Sequence, residues 1–452
     1  MTDEAKVTAA LASFLAETTY EDLPTEAVDA AKLCFLDWLG SAVGGSRSEP
    51  VQVLLQLAPA FGDGEGSTLI PEMWPAPSLF AALVNAAASH VLEMDDLDRG
   101  SIYHPAAAVI PAALALAESQ RASGPLFLTA IVLGYEASIR IGEAVNPSHY
   151  RYWHTTGTVG TFGAAAACAV LLGLDSSRIV HALGSAGTQA AGLWQFLADG
   201  AMSKQLHPAK AAFNGLLSAL IAEKGFTAAT SILEGDKGFC KATAAEYDLG
   251  KITSGLSRAM TGYKICGVSF KKHASCRHTH SAIDAMLELV EQHGLKPEAI
   301  KSIEVRIYSQ ALDLLGGVEA NTPYVAKFSL PYCLAVAAIY GNAGPDRFSE
   351  ECLQDKAVLS LMQQVTMVVD TSLDSLYPQL WPAVVKITTM DGRVLERRVD
   401  HPKGDPEKPL SRDELCQKFR ELTSPVLPSE RRERYVQQAL SLEHQASMDS
   451  FL

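Results

Sequence analysis

At 452 residues the chain is longer than one ordinary hydrophobic core accommodates, so two domains are the starting expectation. Hydrophobic residues make up 48% and charged residues 19%, the balance of a globular protein with a large buried core. The formal net charge of −14 argues against sequence-independent nucleic-acid binding, which requires a basic stripe.

In chain order, residues 4–60 read as helical. An amphipathic run opens at Thr25 behind Pro24, and Gly40 is expected to end it. Ser78 to His90 forms an alanine-rich helix that delivers the acidic run Glu93-Met94-Asp95-Asp96-Leu97-Asp98-Arg99. A Gly-Ser-Ile-Tyr loop then leads to His104-Pro105 and an apolar helix, Ala106 to Ala117. Thr155 to Leu174 carries no charge, but its Gly, Ala and Thr content fits a close-packed buried helix rather than a membrane span. No strand-like alternation long enough to build a sheet occurs before about Met260, so this part reads as a helical bundle with closely approaching axes.

The character changes near Gly262. Ile303 to Tyr308 alternates at period two, Val365 to Val369 is a second strand, and Val384–Thr389 and Arg393–Val399 flank the hairpin signal Asp391-Gly392. Thr279–Glu291 and Ser329–Tyr340 are helical in the same region, and Ser411–Phe419 and Ser429–Leu442 return to helix. The expected fold is therefore mainly α. It has a large all-α helical domain formed by both chain ends (1–262 and 399–452) and an inserted α+β lid domain (263–398).

Eight scattered cysteines form no CxxC pair, which fits neither a disulfide framework nor a thiolate zinc site. The acidic start Met1-Thr2-Asp3-Glu4 lacks the apolar region of a signal peptide, so a cytoplasmic location without membrane attachment is expected.

Four stretches carry chemistry. The acidic run has the spacing Asp-Asp-Leu-Asp, which matches neither an Asp-Asp-x-x-Asp diphosphate motif nor a calcium loop. It is read either as an exposed acidic turn or as a source of a carboxylate that orients His104 for proton transfer. Next, His154 and Thr155 open the buried helix, where amide donors and hydroxyls suit a carboxylate; a simple capped helix start is the alternative. Lys204, flanked by apolar helix, is either a snorkelling surface lysine or a buried, paired one. Finally, Lys271 to His280 gathers three histidines, two lysines and an arginine in an acidic chain. That stretch is a pocket for a small anion or a solvated basic turn. His278 and His280, at i and i+2, face apart on a helix and lack a spaced third ligand, so no metal site is expected. Nucleophile elbow, P-loop and dinucleotide motifs are absent, so the sequence offers acid–base and anion-binding groups with no cofactor motif.

Five segments, in order, resemble the MmgE/PrpD family: EMDDLDRGSIYHPAAAVIPAALALAE (93–118), WHTTGTVGTFGAAAACAVLLGL (153–174), GLWQFLADGAMSKQLHPAKAAFNG (192–215), CRHTHSAIDA (276–285) and KFSLPYCLAVA (327–337). That family includes 2-methylcitrate dehydratases, cis-aconitate decarboxylases and an iminodisuccinate epimerase, which act on small di- or tricarboxylates without a cofactor. The resemblance implies an all-α domain from both chain ends, an inserted α+β lid and a homodimer. It also implies catalytic roles for Asp95, His104, His154, Lys204, His278 or His280, and Tyr332. Against the decarboxylase branch, Glu93 stands in place of Asp and Leu97 in place of Thr, and the spacing to His104 is longer.

The function expected is a cofactor-independent lyase on a small polycarboxylate. Lys204, Lys272 and Arg277 would hold carboxylates, with Glu93, Asp96, Arg99 and Thr155 also lining the substrate site. His104 or His154 would move the proton beside a carboxylate, and Tyr332 or the second histidine would be its partner. The alternatives are an epimerase of an imino- or amino-dicarboxylate and a non-catalytic helical scaffold.

Overall fold

The computed structural model describes residues 6–64, 66–71 and 74–450. Over these residues the chain is mainly α-helical and divides into two compact units. The first is drawn from Met1–Val91, Asp95–Val268 and Ser411–Leu452, and the second from Leu92–Met94 and Ser269–Leu410. The chain thus leaves the first unit for three residues at the start of the acidic run, an excursion with no signal in the sequence.

The first unit is built around the helix Thr155–Leu171, every residue of which is buried. Helices Ala106–Gln120, Gly124–Val145 and Ser203–Glu223 pack against it. Small residues make this possible, because a Cβ at Gly163 would lie 2.8 Å from Ser138 and Val109, and one at Gly134 would lie 2.7 Å from Val109. Gly124–Val145 is the one helix among the described residues long and apolar enough to cross a membrane, and 89% of its apolar window is buried inside the protein.

Both chain ends contribute to this unit. Helix Arg412–Thr423, opened by a Ser411/Glu414 capping box, packs on helix Thr25–Gly45 and places Lys418 Nζ 2.6 Å from the buried Asp37. The latter helix does not stop at Gly40, as its sequence led us to expect, but runs to Gly45. Gly40 is a packing residue: a Cβ there would sit 3.1 Å from the ring of Phe419. The only strands of this unit among the described residues are Ser67–Leu69 and Trp74–Ala76, a short antiparallel pair.

The second unit contains a four-stranded sheet in the order Val365–Val369, Ile300–Ile307, Ala383–Thr389, Val394–Val399. The first pair is parallel and the other two are antiparallel. Ile303, Val305 and Ile307 turn inward at period two, as their spacing predicts. The Asp391-Gly392 turn closes the last hairpin, with Gly392 at φ +87°. Helix His280–His293 packs on the two antiparallel strands and on helix Leu330–Tyr340.

Candidate active site

Glu93, Asp95, Asp96 and Asp98 are all buried, so the acidic run is not a solvated turn. Buried carboxylates require partners, and each of the later two has a structural one. Asp96 accepts from the Tyr135 hydroxyl at 2.8 Å and from the Ala106 amide, the first of its helix, at 3.0 Å. Asp98 accepts from the Ser101 amide (2.8 Å) and hydroxyl (2.6 Å), and its backbone bridges to Tyr103. Burial pushes the Asp98 carboxyl up to about 6 and that of Asp96 well above the usual range. Arg99, half-buried, lies inside this closed loop. Asp96 was expected to bind substrate; its carboxylate is instead occupied in holding the start of helix Ala106–Gln120.

The loop delivers His104. Its Nδ1 lies 2.7 Å from the Asp96 carbonyl oxygen. A carbonyl only accepts, so Nδ1 carries the hydrogen and Nε2 holds the lone pair when the ring is neutral. Asp95 Oδ2 lies 3.4 Å from the same Nδ1 and 2.6 Å from Nδ1 of the fully buried His90. One carboxylate therefore faces two imidazoles, and the rings of His90 and His104 meet edge to face at 5.1 Å.

His154 precedes helix Thr155–Leu171 and is pinned through its own amide to the Gly192 carbonyl (2.9 Å). Its ring lies 5.6 Å from that of His90 and 4.8 Å from Trp194, and its Nδ1 is 3.0 Å from Nδ1 of His207. His207 and Lys204, spaced i and i+3, come from the opening turns of helix Ser203–Glu223, and both are buried. Lys204, only 2% exposed, is not a snorkelling lysine. Burial, and then the positive charges of neighbours, push His154 well below the ordinary histidine range and His207 down to about 3. Lys210, one further turn along, gives its ammonium to the Gly157 carbonyl at 2.9 Å, and burial lowers it to about 8.

The threonines that open this helix work inward. Thr155 Oγ1 accepts from Asn146 at 3.2 Å, Thr156 Oγ1 accepts from the His104 amide, and Thr158 pairs with His149 Nε2 at 2.8 Å. Thr155 is therefore a core contact where a substrate contact was expected, because its hydroxyl is turned to Asn146. His149, bonded also to the Thr243 carbonyl and lowered by burial to about 4, is a satisfied structural histidine.

Ligand atoms of His90, Asp95 and His104 lie within 4.8 Å of one another, close enough to chelate an ion. Yet the two imidazole nitrogens on that side face only acceptors and so carry hydrogens, and a metal there would have to break both bonds. A second such group, His401, Asp405 and Glu407, shares Asp405 with Arg277 and Ser269.

The remaining residues singled out from sequence belong to the second unit. Lys271 Nζ and Glu93 Oε2 form an ion pair at 2.9 Å with both side chains almost fully buried. Lys272, the lysine chosen from sequence, is exposed because the chain turns its neighbour inward. Arg277 is buried and paired with Asp405 through Nη2, while its Nε and Nη1 have no hydrogen-bond partner among the described residues. His278 bonds Tyr308 Oη through Nδ1 at 2.5 Å and stacks on Trp381 at 4.2 Å. His280 is also buried, with Nε2 3.3 Å from the Ser275 carbonyl and its ring against His273. The Tyr332 hydroxyl donates to the Arg347 carbonyl at 2.5 Å, and burial raises its phenol. In this structure it is a structural donor, although the resemblance gives it an acid–base role.

Thus the first unit assembles Asp95, His104, His154 and Lys204 with two residues that sequence reasoning passed over, His90 and His207. A signal for His207 existed in its i+3 spacing from Lys204; His90 has none beyond its place one turn before the acidic run.

Two stretches of the chain also match known families. Residues 9–251 match the MmgE/PrpD N-terminal domain and residues 273–442 the MmgE/PrpD C-terminal domain. The chain belongs to the MmgE/PrpD family. It is 30% identical to the cis-aconitate decarboxylase-like protein oryM of Aspergillus oryzae, over 100% of this chain and 97% of that one. It is 27% identical to the cis-aconitate decarboxylase of Aspergillus terreus (94% and 91% covered) and 28% identical to that of Homo sapiens (90% and 85% covered). These relatives support an enzyme of the lyase class.

Proposed function

We propose that the protein is a carboxy-lyase acting on a small tricarboxylate of the cis-aconitate type, with a homodimer as the assembly implied by the family. The observation that carries the reading is the fixed tautomer of His104 beside the Asp95 carboxylate, in a site that also buries Lys204. The relatives' names support the choice of carbon dioxide as the leaving group.

In cis-aconitate, the bond from the methylene carbon to its carboxylate breaks and carbon dioxide leaves. The electron pair moves through the alkene to the carbon beside a second carboxylate, giving a dienolate, and that carbon takes a proton. Protonated His104 is suited to supply it: Asp95 stabilises the imidazolium, and loss of the Nε2 hydrogen returns the ring to the tautomer that the Asp96 carbonyl prefers. Lys204 stabilises the charge that develops on the carboxylate during the step.

The test is release of carbon dioxide from cis-aconitate by the purified protein in chelator-treated buffer, with citrate and 2-methylcitrate as comparisons. In D2O one solvent deuterium should enter each product molecule, and His104→Ala should lower turnover by about 10²–10⁴-fold. No turnover of cis-aconitate, together with no thermal shift by any tricarboxylate, overturns the reading. Glu93 and Leu97, which depart from the decarboxylase pattern, favour a hydro-lyase as the second reading; alkene formation from 2-methylcitrate without carbon dioxide would establish it.

A further inference from the structure

The contact between His154 and His207 joins two nitrogens of the same kind, Nδ1 to Nδ1, at 3.0 Å. At that separation one hydrogen lies between them, donated by one ring and accepted by the other. A neutral imidazole has a single N–H, so the two rings must hold opposite tautomers. Either His154 carries its hydrogen on Nδ1 and His207 on Nε2, or the reverse. Burial keeps both rings neutral at physiological pH.

The chemistry of the ligand chooses between the two. Every carboxylate of an ionised polycarboxylate is an acceptor only, and a lone pair on His154 Nε2 would face it unfavourably. A neutral His154 therefore serves an anionic substrate only with the hydrogen on Nε2, which leaves Nδ1 bare. That arrangement requires His207 to hold its hydrogen on Nδ1, the less common tautomer of a free histidine side chain.

We infer that His207 is a positioning residue that fixes His154 as an Nε2–H donor to a substrate carboxylate by donating its own Nδ1–H to His154 Nδ1. The inference rests on the polycarboxylate reading above, which selects the ring that donates; that the two tautomers are opposite follows from the Nδ1–Nδ1 contact alone. The surroundings are built for the contact. Gly157 and Gly192 lie against His207: a Cβ at Gly157 would be 3.0 Å from His207 Cβ, and one at Gly192 would be 3.2 Å from its Cγ. Gly192, at φ +143°, also supplies the carbonyl that holds the His154 amide. Trp194 and Phe196 pack on the pair, and Phe196 meets the His207 ring at 5.5 Å.

The test has two readouts. In ligand-free protein labelled with 15N-histidine, with signals assigned through His154→Gln and His207→Asn, His207 should show a protonated Nδ1 and a bare Nε2 at pH 7, and His154 the opposite. Finding His154 protonated on Nδ1, finding both Nδ1 atoms bare, or finding either ring cationic overturns the inference whatever the substrate proves to be. In turnover of cis-aconitate, His207→Phe should raise KM at least tenfold with a smaller change in kcat. His207→Asn, whose amide N–H occupies the position of Nδ1, should restore most of that loss. Equal damage from Phe and Asn in proteins with wild-type melting temperatures also overturns it. Correct tautomers with no turnover would instead count against the substrate reading alone.

Discussion

Which nitrogen of an imidazole carries the hydrogen decides whether the ring gives or takes, and in this protein backbone carbonyls and neighbouring rings make that decision. The same dependence on a single partner governs the buried charges. Lys271 and Glu93 are almost fully buried and paired, whereas Lys272 next to them is exposed. Removing one member of such a pair strands the other in a poorly solvating interior. Lys271→Met should therefore cost about 3–5 kcal/mol of unfolding free energy. Lys272→Met should change it by less than about 0.5 kcal/mol. Denaturant titration of both variants checks this, and equal effects would refute it. The sequence showed that a cationic cluster existed here but could not say which lysine turned inward, because side-chain direction in an irregular stretch depends on contacts remote in sequence.

Helices place the reactive groups, and glycine decides how near those helices come. Gly157 lies in the first turn of helix Thr155–Leu171, where an added Cβ would stand 2.6 Å from the Ala191 carbonyl and 3.0 Å from His207. Neither neighbour is the free end of a flexible chain. Gly157→Ala should destabilise the protein by about 1–3 kcal/mol and weaken turnover by displacing His207. Gly267→Ala, with open space around the added methyl, should do neither. Melting curves and steady-state kinetics on the two variants distinguish a packing requirement from a general intolerance of alanine.

At this scale the sequence was informative wherever periodicity or a turn signal stood alone. The alanine-rich run from Ser78, the Ile303 alternation and the Asp391-Gly392 hairpin all lie where their patterns place them. It misled where one residue type serves two purposes. Gly40 reads as a stop and is a packing contact with Phe419. His90 and His207 carried too little local signal because their partners, Asp95 and His154, are brought to them by tertiary packing.

For the molecule as a whole, the histidines held neutral by burial set a dependence on pH. His149 has its pKa lowered by burial to about 4, and both nitrogens are bonded. Its unfolded value is near 6.5. A folded pKa below the unfolded one gives stability that is present above pH 6.5 and lost as pH falls towards 4. His149→Gln should be less stable than wild type at pH 7.5, and the gap should narrow by roughly 2–3 kcal/mol by pH 4.5. Comparing the two proteins across that range isolates this ring from every other titrating group; a constant gap would refute the assignment.

The three-residue excursion Leu92–Met94 has a topological consequence. Had the chain contributed only Ser269–Leu410 to the second unit, that unit would be a simple insert, entered once and left once. Instead the backbone passes between the units four times, at Val91/Leu92, Met94/Asp95, Val268/Ser269 and Leu410/Ser411. Splicing out residues 269–410 would not leave the first unit alone. It would leave behind a tongue of the lost unit, with Glu93 parted from Lys271, in the same short stretch of chain that carries Asp95 and leads to His104.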